Sequence, residues 1–488
     1  MTAVRLTLAW VARASGGTLR GGGAEGSVGS EGSGGADREI GHVVIDSRVV
    51  QPGDLFVAIR GPRFDGHDFV GDVLERGAAA AIVGRAFMAR RAEAGHQGPP
   101  YDTGTLIEVG DTLRALQDLA HAVRSESGSR VIAITGSAGK TTTKEAIAAF
   151  LAARFSVVRN KGNLNNHIGL PLSLMQLREG PDVAVMELGM NHAGEISTLV
   201  AIAAPDVRVW TNVGDAHLGF FASPDAIADA KAEILERAGA DTVLVCNADD
   251  PRVMARVREF HGRIVTFGAS EGAAIRAVEI EDRGLDGVRA RLTTPAGDRV
   301  VETPLLGLGN LSNVLAAAAV AIDAGVPLDE IVSAAARLRP SDRRGVVHRL
   351  REGIVVIDDS YNSSPAALRR ALDVVAHERR ARRRVAVLGE MLELGAHAAR
   401  LHEQAGRDAA AAGIDRLFAI GGSAARMLAE AAVTAGLRAR DVAYIEQSGD
   451  AAAAAVLEAV KPGDLVLVKG SRGVRTDLIA DRLVAELT

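Results

Sequence analysis

Short apolar runs rich in valine and isoleucine recur along this chain, most ending in glycine or a polar turn before a helix-periodic stretch begins. "SRVIAITGS" (129–137), "DVAVMELG" (182–189), "DVRVWTNVG" (206–214), "DTVLVCNADD" (241–250) and "RIVTFG" (263–268) predict parallel strands whose ends carry site-forming loops. The pattern resumes with "GIVVIDDSYN" (353–362), "RVAVLGEM" (384–391), "RLFAIGG" (416–422), "VAYIEQS" (442–448) and "LVLVKGSRG" (465–473). Nearer the start, "VVIDSRVVQPGDLFVAIRG" (43–61) predicts two strands around a Pro-Gly-Asp turn, and "GAAAAIVG" (77–84) predicts another. The class is therefore α/β, in three domains: 1–122, a central parallel-sheet domain over 123–338, and a Rossmann-like domain over 339–488 that lacks G-x-G-x-x-G. The proline- and arginine-bearing end of "GVPLDEIVSAAARLRPSDRRG" (325–345) connects the last two. "GGTLRGGGAEGSVGSEGSGGADREI" (16–40) reads as a flexible loop within the first.

Length and charge narrow the class of function. A chain of 488 residues is too long for one core. A net charge of -5 argues against a nucleic-acid binder, whose domains carry a basic field. The one dense basic run, "HERRARRR" (377–384), reads as the end of a solvated helix, where arginines suit the carboxyl terminus. The single cysteine, Cys246, excludes an intramolecular disulfide and fits a small core residue in a reducing compartment. No apolar run approaches the roughly 18 residues of a membrane span. "MTAVRLTLAWVARASGG" (1–17) imitates a signal peptide, yet its apolar stretch is short, and it reads as an amphipathic first helix.

The candidate chemistry centres on "ITGSAGKTTTKEA" (134–146), a glycine-bearing turn between a buried strand and a helix. From Gly136 through Ser137, Ala138, Gly139, Lys140 and Thr141 to Thr142 it spells G-x-x-G-K-T-T, shorter than the common phosphate loop. Such a turn aims backbone N–H groups and the positive end of a helix at one point. Lys140 would neutralise phosphate, and the Thr141 hydroxyl would ligate magnesium. An ordinary turn with a surface lysine is the alternative, and Gly-Lys-Thr-Thr at a strand–helix junction speaks against it. Glu187 and His217 end the next two strands, and either alone is structural as often as functional. Lys231 follows Ile227 by four residues on the inward side of a helix begun by Ser223, Pro224 and Asp225. It either acts at the site or snorkels to solvent.

These motifs resemble those of the Mur ligases of peptidoglycan synthesis, and the resemblance covers nearly the whole chain. It rests on "DSRVVQPGDLFVAIRGPRFDGHDF" (46–69), the short loop itself, "NKGNLNNHIGLPLSL" (160–174), "MELGMNHAGEI" (186–196), "NVGDAHLGFF" with "AKAEIL", "NLSNVLAAAAVA" (310–321), "IDDSYNSSPAALRRAL" (357–372) and "LGEMLELG" (388–395). The resemblance implies that ATP phosphorylates a carboxylate, and that an amine then attacks the acyl phosphate. It implies catalytic roles for Lys140, Lys231, His217 and Glu187, and two magnesium sites, with Thr141 and Glu187 at one and His217 beside a carbamoylated Lys231 at the other. Asn310 and Asn313 would lie near the adenine, and Asp342 or Arg344 with Asp359 would close over the nucleotide. Asn163, Asn166 and His167 would face the UDP-sugar peptide, and Ser47 and Arg48 the uridine.

The implied partners are a UDP-N-acetylmuramoyl-tripeptide and D-Ala-D-Ala, met by a monomer in the cytoplasm, with no nucleic acid and no membrane insertion. The diamino-acid-adding relatives carry an Asp-Asn-Pro-Arg motif, absent here. In its place the loop after "GIVVIDD" offers Tyr361, Asn362 and Ser363, polar groups without a full charge, which suit a compact dipeptide. Folylpolyglutamate synthetase-like ligases share the core without the "DSR…GDLFVA…DGHDF" first domain. A phosphate-loop switch protein would carry Asn-Lys-x-Asp, also absent. Two departures stand out: Gly309-Asn310 replaces the family's usual His-Asn, and "SYNSSP" replaces "SYNANP".

Overall fold

The computed structural model describes residues 3–20, 35–93 and 105–488. The middle of the Gly/Ser-rich segment therefore lies outside the described residues. The described chain gathers into two compact units.

The first unit comprises Met1–Ala133, Phe155–Met190 and Glu195–Asp206. Its five-stranded sheet runs in the order Thr18–Arg20, Thr105–Val109, Ala80–Gly84, Leu55–Val57, Val43–Val44. The first strand is antiparallel to its neighbour, and the other pairs are parallel. The two strands around the Pro-Gly-Asp turn are thus adjacent and parallel. Their connection is fastened by Asp54, whose buried carboxylate accepts from the backbone N–H of His42 (2.8 Å) and Gln51 (2.9 Å). The expected first helix is Leu8–Ala14, with the Thr7 hydroxyl accepting from Trp10 N–H and Leu8, Trp10 and Val11 buried. Strand Val183–Glu187 is buried throughout and pairs in parallel with Val157–Arg159.

The second unit comprises Ile134–Arg154, Asn191–Gly194 and Val207–Thr488. The predicted strands appear as Val207–Trp210, Val243–Asn247 and Arg263–Gly268, parallel in that order. Beyond them Ile275–Asp282, Val288–Thr294 and Gly297–Thr303 form an antiparallel meander that the sequence reading does not include. Its signal is present, since Val288–Thr294 alternates buried and exposed positions before a tight turn at Pro295-Ala296. The alanine-rich helix Gly307–Asp323 packs against Lys140–Leu151, where small side chains allow close approach. Cys246 is a core residue, as expected, and burial pushes its thiol up to about 12.

The same unit carries a six-stranded sheet, ordered Val346–Arg349, Val355–Asp359, Asp464–Lys469, Arg383–Gly389, Arg416–Ile420, Val442–Ile445. All pairs but the first are parallel. Strand Asp464–Lys469 is buried along its whole length, and its last residue pairs in register with Asp359. Two chemically active side chains thus meet at the carboxyl ends of adjacent strands. The basic run 377–384 differs in detail from expectation, because the helix Pro365–His377 ends before most of it. Arg384 Nε still donates to the carbonyl of Val375 in the last turn of that helix (3.0 Å). Arg380 instead grips Glu378, holding its carboxyl down to about 2. Among the described residues no helix is long and apolar enough to cross a membrane.

Candidate active site

The phosphate loop lies in the second unit and is held by the segment after Trp210. Ser137 N–H donates to the Asn212 carbonyl (3.0 Å), and Ala138 N–H to the Asn212 Oδ1 (2.9 Å). The Ala138 carbonyl accepts from Thr211 Oγ1 and Asn212 Nδ2, both at 2.9 Å. Gly136 (φ 152°) and Gly139 (φ 85°) adopt backbone conformations that side chains disfavour. A Cβ at Gly136 would run into Thr211, and one at Gly139 into Asn313. The twelve-residue helix Lys140–Leu151 starts directly after Gly139, so its N-terminal N–H groups and dipole face the loop's concave side. Lys140 Nζ reaches back 2.8 Å to the Gly136 carbonyl and closes the loop.

A 290 Å³ cavity opens beside this loop. Ser137, Ala138, Gly139 and Thr142 form one end, Asn310 and Asn313 the floor, and Arg344, Asp359, Tyr361 and Asn362 a facing wall. Residues singled out from three separate stretches of sequence therefore line one space. Asn313 is buried beneath the loop, and its Oδ1 accepts from Thr143 Oγ1 (3.3 Å). Its Nδ2 donates to Asn310 Oδ1 (3.1 Å), and Asn310 Nδ2 donates to the Leu306 carbonyl (2.9 Å). Of the two residues left open for the facing wall, Arg344 lines this cavity and Asp342 a separate one with Arg343 and His348.

Lys469 is absent from the sequence reading. It is 3 % exposed, pairs with Asp359 at 2.6 Å and donates to the Asn362 carbonyl at 3.0 Å. A lysine closing an apolar strand just before glycine, as in "VKGS", is its only signal. The wall is also more cationic than the loop after "GIVVIDD" implies. The Arg344 guanidinium lies 4.0 Å from the Tyr361 ring centroid and that of Arg472 5.7 Å away. Both charges come from outside the Tyr361–Ser363 stretch: the sequence names Arg344 for the nucleotide but does not name Arg472.

His217 and Lys231 belong to the same unit but do not line the cavity. His217 Nδ1 shares a hydrogen bond of 2.8 Å with Glu393, which that bond holds below the usual carboxylate range. Both residues adopt left-handed backbone conformations, φ 67° and 64°, which cost energy and mark a specified geometry. Gly219 N–H donates to the Glu393 carbonyl (2.7 Å), and a Cβ at Gly219 would approach that carbonyl to 2.8 Å. Buried His402 supports the partner loop, accepting from Met391 N–H at 2.9 Å. Lys231 is 1 % exposed, which rules out snorkelling. Burial above all, and then the charge of Lys140, push its pKa well below the ordinary lysine value.

The remaining residues lie in the first unit. Glu187 is buried, and its Oε1 accepts from Asn165 Nδ2 at 2.9 Å. Asn160, fully buried, donates to the Leu164 and Glu187 carbonyls and accepts from Glu187 N–H. Sequence reading favours the exposed neighbours of these two asparagines. Asn163 and His167 are exposed, the His167 carbonyl accepts from Gln117, and Asn166 Oδ1 accepts from Ile168 and Gly169 N–H. Arg48 is exposed and bidentate to Asp46, and the Ser47 carbonyl accepts from Arg76. Among the described residues no group of three or more His, Cys, Asp or Glu side chains converges as a metal site.

The class this fold and loop define is a phosphate-loop enzyme that spends a nucleotide on bond formation. Residues 134–321 match the Mur ligase middle domain, 343–472 the Mur ligase, glutamate ligase domain, and 39–124 the Mur ligase family, catalytic domain. The UDP-N-acetylmuramoyl-tripeptide–D-alanyl-D-alanine ligase of Bacillus subtilis is 33% identical over 442 residues, 91% of this chain and 93% of that one. A crystal structure of MurF from Acinetobacter baumannii superposes with a TM-score of 0.83 at 30% identity, covering 99% of this chain and 100% of that chain. MurF ligase from Thermotoga maritima, in complex with ADP, gives 0.78 at 29% identity, covering 91% and 97%. The chain belongs to the Mur ligase family, with the three-domain α/β fold expected from its sequence.

Proposed function

We propose that this protein joins D-Ala-D-Ala to a UDP-N-acetylmuramoyl-tripeptide in peptidoglycan precursor synthesis, driven by ATP and forming ADP. The observation that carries this reading is the cavity in which the loop Ser137–Gly139 faces Arg344, Asp359 and Tyr361. A tripeptide carboxylate oxygen attacks the γ-phosphorus, and the bond to the β-bridging oxygen breaks, releasing ADP. The dipeptide amine then attacks the acyl carbon, the acyl–oxygen bond breaks, and phosphate leaves as the nitrogen gives up a proton. Charge builds on oxygen in both steps, so Lys140 and the helix N-terminus stabilise the first. Arg344 and the Lys469–Asp359 pair order the facing wall. Ser47, Arg48, Asn163, Asn166 and His167 bind the UDP-sugar peptide in domain 1–122 and its adjoining loop, while Tyr361 and Asn362, in domain 339–488, meet the dipeptide.

Magnesium fits these residues through donor chemistry. Burial and the charge of Lys140 disfavour an ammonium at Lys231, and carbamoylation of its neutral amine would make it an anion. Carbamate forms when the neutral amine nitrogen bonds to the carbon of CO2 and sheds one proton. His217 presents Nε2, its Nδ1 being oriented by Glu393 as metal-bound imidazoles are oriented. Thr141, Glu187, His217 and Lys231 would hold the ions, which neutralise phosphate charge. Glu393→Gln is expected to raise the magnesium concentration for half-maximal activity about ten-fold. An unchanged magnesium titration would remove His217 from the metal.

The test of the reaction is a panel of UDP-muramoyl peptides against D-Ala-D-Ala and single amino acids, with products weighed by mass spectrometry. Coupling of D-Ala-D-Ala to the tripeptide is expected, with single amino acids poor even at high concentration. The arginines around Tyr361 offer charge to the dipeptide's distant carboxylate. Preference for lysine or diaminopimelate with a dipeptide precursor would reassign the protein to the diamino-acid-adding branch.

A further inference from the structure

Beyond the phosphate loop the cavity changes character. Leu306, Leu308 and Val374 gather there, and Arg370 enters from the helix Pro365–His377. The arm of Arg370 crosses the backbone of Gly309: a Cβ at that position would stand 2.9 Å from its Cδ and 3.4 Å from its Nε. Any larger residue at 309 would displace the guanidinium. Among the described residues this guanidinium makes no hydrogen bond or ion pair, although it lines the cavity and is accessible from it. It also sits beside the N-terminal turn of helix Gly307–Asp323, the end that repels a cation. Asp250 and Asp373 are the charges that offset this placement. Helix electrostatics therefore do not explain the residue; an unspent planar cation against an apolar wall does.

We propose that Arg370 recognises the nucleotide base, its guanidinium stacking on the purine face over Gly309. The proposal rests on the nucleotide reading of the cavity. A nucleotide with its phosphates at Gly139 extends its base away from the loop, and the apolar end is the part of the cavity suited to a flat ring. Guanidinium offers two planar faces and weak hydration, so it stacks on aromatic rings where an ammonium does not.

Binding of ADP and of inorganic tripolyphosphate to the full-length protein, measured by calorimetry, tests this. Arg370→Met keeps the arm over Gly309 and removes the planar cation; Arg370→Lys keeps the charge and removes the plane. Each is expected to weaken ADP about ten-fold and tripolyphosphate less than about two-fold. If Met prevents folding, the Lys variant carries the test. ADP affinity within two-fold of wild type overturns the proposal. So does an equal loss for ADP and tripolyphosphate, which would place the guanidinium on phosphate. Failure of the nucleotide reading looks different: wild type would not bind ADP, or Lys140→Ala would bind tripolyphosphate as wild type does.

Discussion

Lys140→Ala is expected to lower turnover by at least about 100-fold while the protein stays folded. The loss follows from position: the side chain springs from the first residue of the helix and closes the loop on the Gly136 carbonyl. Removing a preorganised cation from the point of greatest charge development typically loses 10²–10³ in rate. Stability should change little, because the hydrogen bond to the Gly136 carbonyl is worth about 1 kcal/mol, on a half-buried residue. The substitution has a second effect, since the Lys140 charge helps hold Lys231 neutral. The variant's remaining activity should therefore fall off at a higher pH on the acid side than that of wild type. Steady-state kinetics beside thermal melting checks both, and near-normal turnover in a folded variant would sink the phosphate-loop assignment.

Lys231→Ala is expected to be nearly inactive, and short carboxylates such as formate or acetate should restore part of its activity. The reasoning is electrostatic: a buried anion is missing where a carbamate would stand, and a small carboxylate replaces its charge. The pH dependence has a definite sign. Carbamoylation needs the neutral amine, and a depressed pKa extends the neutral form to lower pH; acidification protonates it. Wild type should therefore lose activity when depleted of CO2 at mildly acid pH. Stability moves in a matching direction. With no carbamate or magnesium, the unfolded lysine takes up its proton below the ordinary value near 10.5, whereas the buried one does so only below its depressed pKa. Folding stability falls as pH drops between those two values. Lys231→Met should then melt a few degrees above wild type in CO2-free, magnesium-free buffer at neutral pH. A Lys231→Ala enzyme close to wild type, with no response to carboxylate, would leave the lysine a packing residue.

The phosphate loop is legible in the sequence because everything that builds it is contiguous. Buried strand, glycines and helix start lie within 130–151, and backbone geometry does the rest. The cap of the Lys231 helix is legible for the same reason: Ser223 accepts from Ala226 N–H and Pro224 opens the helix, as its sequence predicts. The exposed Asn163 and Asn166 draw attention because polar residues in a loop invite a ligand. Buried Asn160 and half-buried Asn165 instead bind Glu187, a choice made by tertiary packing, which a string of letters does not display.

By itself the chain of residues determined the parallel strands, the loop, the short helix caps and the family, since each depends on neighbours within a turn or two. Tertiary structure alone decided the pairings that shape the cavity. Lys469 meets Asp359 across 110 positions because their strands lie side by side in the last sheet. His217 meets Glu393 across 176 because two strained loops lock through Gly219. Arg370 rests on Gly309 because one helix crosses the end of another. Each of these contacts exists only once distant segments have packed, and the Lys469–Asp359 pair gains most, because the lysine is buried where its charge is little screened.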